Sequence, residues 1–283
     1  MDEFTPETFA IPVGDLTFDA WASGPAEGEP VLMLHGFPET MQMWQPLLDE
    51  LGRQGYRCVA FNQRGYSPGA RPGDVEAYRT SELAADVVGV LDALGWDRAH
   101  LIGHDWGAAV AWRVAALAPA RLRTLNVLSV GHPDAISEAI GADDDQRSRS
   151  EYMTFLRRPD ADRLLLENDA ERFRNFFAGS PAAEGADSYL AVLGEPGALD
   201  AALNWYRSAG RSEHSAEKVD LPVLFIWSDN DPALGRLAAE RTGEFVAGSY
   251  RFVILEGISH WIMQEAPARV LAEVGRHISE HRA

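Results

Sequence analysis

Cysteine and lysine are almost missing from this chain of 283 residues, and basic charge is scarce overall. A single cysteine, Cys58, cannot close an internal disulfide, so the fold must rest on its apolar core. The apolar stretch around it, 56–61, reads as a strand and predicts a buried thiol with a packing role. Lys218 is the only lysine, a bias to which no mechanism attaches. Twenty-five Lys and Arg stand against 43 Asp and Glu, a net charge of −18, which repels nucleic acid backbones and anionic lipid surfaces. No apolar run reaches membrane-spanning length. The opening Met1-Asp2-Glu3-Phe4-Thr5 lacks the basic and apolar regions of a secretion signal, so the expectation is a soluble cytoplasmic protein.

What is present is enough apolar residue, 46% of the chain, to build one large α/β domain carrying an insertion. Apolar runs predict strands over 9–13, 16–21, 31–34, 58–61, 99–103 and 125–130. Helical spacing predicts helices over 43–51, 81–94 and 108–118, and alternation of the two element types implies a mostly parallel sheet. From about 133 to 219 the pattern is helical without a convincing strand, which reads as a helical cap. Polar connections bracket it, at Asp143-Asp144-Asp145 and over 210–220. Strands resume over 223–227 and 252–255, with helical stretches at 234–245 and 266–281. The expected organisation is a core in two pieces, 1–132 and 220–283, with the cap 133–219 between them. There is no repeat and no low-complexity tract.

The most informative residues are Gly103-His104-Asp105-Trp106-Gly107, which follow a predicted strand and precede a helix of small residues. This is where a nucleophile elbow presents one side chain above the sheet. A lone aspartate before a helix is ordinarily an N-cap, but here its chemical partners follow downstream. A serine at this position would make an acyl-enzyme. A carboxylate suits attack on an sp³ carbon bearing a leaving oxygen or halide, giving an ester of Asp105. Hydrolysing that ester needs a base and an orienting acid, sought in the chain order nucleophile, acid, histidine. Ser228-Asp229-Asn230-Asp231-Pro232 follows one late strand, and Glu256-Gly257-Ile258-Ser259-His260-Trp261 follows the next, each at the strand end where open α/β sheets build their sites. The expected base is His260 and the expected acid Asp231, with Asp229 the competing choice and otherwise a turn former. His35-Gly36-Phe37-Pro38 follows the strand over 31–34, and the amides of Phe37 and Trp106 are the expected oxyanion-hole donors.

With these motifs in place the chain resembles the epoxide hydrolases of the α/β-hydrolase fold, from residue 31 to the terminal helix. The family's HGFPE stands at His35 through Glu39, its HDWG at His104 through Gly107, and its Gly-Tyr turn at Gly65-Tyr66. The resemblance implies two cap tyrosines that hold and protonate the epoxide oxygen. Tyr152, in a Tyr-x-x-aromatic-x-x-x-Pro context ending at Pro159, and Tyr206, in Asn204-Trp205-Tyr206-Arg207, fit those positions. His35, Pro38, Trp205 and Trp261 are expected around the substrate pocket, although His35 suits a turn-stabilising role equally well and the tryptophans suit packing. The implied ligands are a small epoxide and water, with no metal, no cofactor and no nucleic acid or membrane partner; self-association stays open. A haloalkane dehalogenase would use the same nucleophile and base but needs N–H donors for a halide, with Trp106 one candidate and Trp205 another. A non-catalytic ligand-binding member of the fold is the third reading, and a complete triad argues against it.

Overall fold

Runs that are apolar on both faces become the inner strands of one sheet, and runs that alternate become its edge. The computed structural model describes residues 5–209 and 218–282. Its strands are β1 (Glu7–Val13), β2 (Leu16–Ser23), β3 (Glu29–Leu34), β4 (Tyr56–Phe61), β5 (Ala99–His104), β6 (Leu122–Leu128), β7 (Val223–Ser228) and β8 (Tyr250–Leu255). They lie in the order β1-β2-β4-β3-β5-β6-β7-β8. β1 and β2 form an antiparallel hairpin and β2 lies antiparallel to β4, while every other pairing is parallel. Buried and open residues alternate along β2, whereas every residue of β5 and β7 is buried. The α/β-hydrolase fold expected from the sequence is the fold observed.

The helices are α1 (Gln45–Arg53), α2 (Thr80–Ala93), α3 (Trp106–Leu117), α4 (Pro133–Ala142), α5 (Asp144–Arg149), α6 (Tyr152–Leu156), α7 (Ala161–Arg174), α8 (Ala186–Leu193), α9 (Ala198–Ser208), α10 (Arg236–Arg241), α11 (Ile262–Glu265) and α12 (Pro267–Glu280). Helices α4 to α9 all fall between β6 and β7, so the insertion is helical. α7 is interrupted where Asn168, Asp169 and Ala170 take positive φ. α12 packs through Val270, Val274 and Ile278, one face at a spacing of four, all fully buried. Each such side chain contributes about 1.5–3 kcal/mol by leaving water.

Several boundaries differ from the sequence expectation. The sixth strand starts three residues earlier and ends at Leu128, because Ser129 turns the chain with φ +64. The stretch 43–51 divides into a 3-10 turn, Met41–Trp44, and α1; the stretch 234–245 divides into α10 and a 3-10 turn, Thr242–Phe245. Asp143 is no mere connection: its carboxylate accepts the Asp145 amide and starts α5, whose first turn holds Asp144 and Asp145. Most of the second polar connection, 210–217, lies outside the described residues. Cys58 is buried, as expected. Among the described residues no helix is long and apolar enough to cross a membrane.

Four buried histidines away from the late-strand histidine loop carry a prediction. Burial lowers the pKa of His35, His100, His132 and His277 to about 4. Burial keeps each ring neutral, and some rings also have polar partners, such as Thr124 Oγ1, 2.8 Å from His100 Nδ1, and Asn126 Oδ1, 2.8 Å from His277 Nδ1. In the unfolded chain they titrate near 6.5, so between about pH 6.5 and 4 unfolding takes up protons. Their stabilisation is complete above pH 6.5 and is lost as pH falls toward 4, by about 1.4 kcal/mol per pH unit for each. His260, whose pKa is raised, adds no slope in that window because it stays charged in the folded state and is mostly charged in the unfolded one. Urea unfolding at pH 7 and pH 5 should show a loss of several kcal/mol; an unchanged midpoint would contradict these assignments.

Candidate active site

β3 neighbours β4 on one side and β5 on the other, so the chain reverses its direction of winding there and leaves a crevice beyond the carboxyl ends of β3 and β5. Both early motifs end in that crevice. Asp105 follows β5 directly, with φ +51 and ψ −121, and its carboxylate makes no cap to α3. The strain of the elbow therefore sits on Asp105 itself, a conformation L residues rarely adopt. The glycines of the motif serve close approach instead. A Cβ on Gly107 would lie 2.1 Å from the Leu34 carbonyl oxygen, and one on Gly103 would lie 2.4 Å from that of Gly107. Only glycine lets α3 start so tightly against the strands.

The two oxygens of Asp105 face different partners. Oδ1 accepts the Phe37 amide at 2.8 Å, and the Trp106 amide also favours the charged carboxylate. Oδ2 lies 3.5 Å from His260 Nε2. The other ring nitrogen of His260, Nδ1, lies 2.8 Å from Asp231 Oδ2. Asp231 is fully buried and its Oδ1 accepts the amides of Ala233 at 2.7 Å and Leu234 at 3.0 Å. Asp229 points elsewhere: its Oδ1 accepts the exposed Gly257 amide at 2.7 Å. Of the two candidate acids, Asp231 is the one the structure sets against His260.

Burial alone would neutralise these groups, and their mutual contacts outweigh it. For Asp105, burial works against the charge, but the hydrogen bond and charge of His260, then His104 and the Trp106 amide, hold the carboxyl below its ordinary range. For His260, burial again opposes the charge, while the carboxylates of Asp231 and Asp105 raise its pKa well above the usual value. The resting arrangement is an imidazolium between two carboxylates.

Tyr152 on α6 and Tyr206 on α9 meet over this pair, their ring centroids 6.3 Å apart and nearly perpendicular. Tyr206 is buried; Tyr152 shows 38% of its surface, although burial is the main cause of its raised phenol pKa. Burial, then the negative charge of Asp105 and of neighbouring groups, raises both phenol pKa values, so both stay protonated. The two tyrosines, Asp105 and Trp106 line a cavity of about 170 Å3 whose other walls include Val130, Ile136, Met153 and Leu234.

The remaining residues expected at the pocket back it instead of lining it. His35 is fully buried; its Nε2 accepts the Gln63 amide at 3.1 Å and its Nδ1 lies 3.0 Å from the Gly36 carbonyl oxygen. This is the turn-stabilising role, holding the loop that presents the Phe37 amide. Pro38 is buried in the same loop. Trp205 Nε1 donates to the Arg64 carbonyl at 2.9 Å, and its ring packs on His35, Tyr66 and Trp106. Trp261 donates to the Phe176 carbonyl at 3.1 Å and braces the His260 ring edge-on at 5.1 Å.

Behind these residues lies a second layer, of which sequence reasoning raised only Glu39, as either a partner or a solvated charge. His104 Nε2 lies 3.0 Å from the His260 carbonyl oxygen, which also accepts Ser129 Oγ at 3.2 Å. His104 Nδ1 faces Glu39 Oε2 at 3.0 Å, both fully buried. Glu39 Oε1 in turn accepts Gln264 Nε2 at 2.5 Å and the Tyr189 hydroxyl at 3.3 Å. This network holds the main chain of His260 and reaches α8 in the insertion. His104 and Glu39 sit inside the two motifs, so the signal was their presence beside Asp105 and Phe37; nothing local marked Ser129 or Gln264.

Comparison with known proteins places the chain in a family. Residues 29–267 match the family model described as the alpha/beta hydrolase fold. Epoxide hydrolase A of Mycobacterium tuberculosis is 33% identical over 87% of this chain and 89% of its own. The AB hydrolase superfamily protein YfhM of Bacillus subtilis is 33% identical over 90% of this chain and 92% of its own. The crystal structure of epoxide hydrolase A from Mycobacterium thermoresistibile superposes with a TM-score of 0.86 at 29% identity, covering 98% of this chain and 99% of that one.

Proposed function

The chain belongs to the α/β-hydrolase-fold family and closely resembles epoxide hydrolases over nearly its full length, and on that premise we propose that it opens epoxides to vicinal diols by way of an ester on Asp105. The observation that carries the reading is the division of labour on Asp105, a residue of the cavity wall: Oδ1 is held by the Phe37 amide at 2.8 Å while Oδ2 lies 3.5 Å from His260 Nε2. We take residues 133–219 as a cap over a core of 1–132 and 220–283.

In the first step Oδ2 attacks an epoxide carbon, the carbon–oxygen bond breaks, and the alkoxide takes a proton from Tyr152 or Tyr206. Two phenols on one oxygen stabilise the charge as it develops. Asp105 is then a neutral ester, and one of the two anions that kept His260 charged is gone. His260 releases a proton, solvent returns one to the phenolate left by the first step, and His260 becomes a base oriented by Asp231. It takes a proton from water as the water oxygen attacks the ester carbon. Negative charge develops on Oδ1, where the amides of Phe37 and Trp106 stand; collapse breaks the bond to the alkyl oxygen, which takes the proton of the new carboxyl group and leaves as the diol, restoring the Asp105 carboxylate beside a charged His260. Every group in this sequence comes from the chain and from water. The cavity, about 170 Å3 with walls such as Ala109, Ile136, Ile140 and Met153, suits a small, uncharged, mainly hydrocarbon epoxide.

A halide site is less well supplied. Trp205 Nε1 is bonded to the Arg64 carbonyl, and the Trp106 ring packs edge-on against Tyr206 with centroids 5.1 Å apart. The tyrosines separate the two chemistries, because a halide ion leaves without a proton. We expect Tyr152→Phe and Tyr206→Phe each to keep partial diol formation, and the double variant to lose about 10²–10⁴-fold. Circular dichroism checks folding. A folded double variant near the wild-type rate would refute the tyrosine roles, and wild-type release of chloride or bromide from haloalkanes with no diol from any epoxide would replace the reading.

A further inference from the structure

The loop that carries Asp231 is gripped from the insertion side by α5. The Arg149 guanidinium donates to the Asp231 carbonyl oxygen, and Arg149 Nε is itself held by Asp145 Oδ2 at 2.7 Å. Gln146 Nε2 donates to the Ala233 carbonyl at 2.9 Å, and Gln146 Oε1 accepts the Gly235 amide at 2.8 Å. Gln146 is 1% exposed, and Ser150 Oγ, 3.2 Å from its Nε2, steadies it. The loop closes toward α5 at Gly235, where a Cβ would press on Asp145 Oδ2 and Gln146 Oε1 at 3.2 Å. Main-chain groups at positions 231, 233 and 235 are thus all tied to one short helix of the insertion, while the Asp231 carboxylate is tied to the amides of the same loop and to His260.

We propose that Arg149 and Gln146 are positioning residues that seat the acid Asp231 against His260, so that the helical insertion sets the hydrolytic half of the reaction as well as covering the site. The inference rests on the proposed epoxide chemistry. Arg149 is not among the cavity's lining residues, and Gln146 reaches the cavity only as part of its wall. Their effect should appear where His260 acts as a base and not where Asp105 acts as a nucleophile. Because Asp231 sustains the charge on His260, a loosened loop should also let His260 deprotonate more easily.

The test is rapid-quench kinetics with styrene oxide, following the Asp105 ester by intact-protein mass and the diol by chromatography. Arg149→Met, which keeps length and loses the donor, should form the ester within about twofold of the wild-type rate and hydrolyse it at least tenfold more slowly. The ester should accumulate, and the acid limb of the kcat profile should move to lower pH. Arg149→Lys, which keeps one donor, should restore most of the hydrolysis. Should Arg149→Met fail to fold, Asp145→Ala, which removes the group holding Arg149 Nε and lies outside the cavity wall, is read in the same way. Equal loss in both half-reactions, or hydrolysis unchanged in a folded variant, would overturn the positioning role. Failure of the underlying chemistry looks different: no ester would form even in His260→Gln, and wild type would give no diol.

Discussion

Asp105→Ala is expected to leave a folded protein with no measurable epoxide turnover, a loss of about 10⁴-fold or more. The carboxylate is the one group at the elbow able to form the alkyl ester, and its removal also leaves the Phe37 amide without its acceptor. His260 would lose one of the two anions that raise its pKa, so the site would lose both its nucleophile and part of its electrostatic balance. Folding should survive, since Asp105 caps no helix and alanine deletes only the carboxylate. The positive φ that remains is unfavourable for alanine as well as aspartate, so the elbow gains nothing in strain relief. Diol formation from a panel of aryl, aliphatic and disubstituted epoxides measures the effect, with Tm as the control. Activity near wild type would remove the covalent route from consideration.

His260→Gln should separate the two half-reactions. Nucleophilic attack needs only Asp105 and the tyrosine hydroxyls, so the ester should form; its hydrolysis should slow by about 10²–10⁴-fold for want of a base. Glutamine is chosen over alanine because Asp231 is fully buried, and an amide can still donate to it where alanine would strand a buried charge. Intact-protein mass after incubation with epoxide should show one adduct per chain. Digestion should place it on the peptide containing Asp105. An unmodified mass under conditions where wild type turns over would sink the assignment of His260 as the hydrolytic base.

Much of the site could be read in the sequence because its residues are local to strand ends. Gly103 through Gly107 encode a strand, a sharp turn and a helix start, and such a turn aims one side chain by backbone geometry alone. The same holds for the loop at 35–38 and for the residues after β7 and β8, since the carboxyl ends of parallel strands all open on one edge. The inner strands were readable as continuous apolar runs, while their limits were not: β6 ends where Ser129 takes a positive φ, which no neighbouring residue announces.

Other features came only from the packing of distant segments. Between Asp229 and Asp231 the choice depends on which carboxylate turns back to meet a ring 29 residues later. Trp205 and Trp261 looked like pocket walls by type, but both direct their indole N–H groups at carbonyls of other segments, and aromatic character does not say which face meets a cavity. Glu39 and His104 became a buried pair because β3 and β5 lie side by side. Asp143 to Asp145 read as a polar connection because so short a helix start has no apolar stripe, and the contacts of α5 with the Asp231 loop span more than 80 residues. Chemistry carried by strand ends is written locally in the chain; the groups that hold such chemistry in register are selected by long-range hydrogen bonds, which leave no periodicity to read.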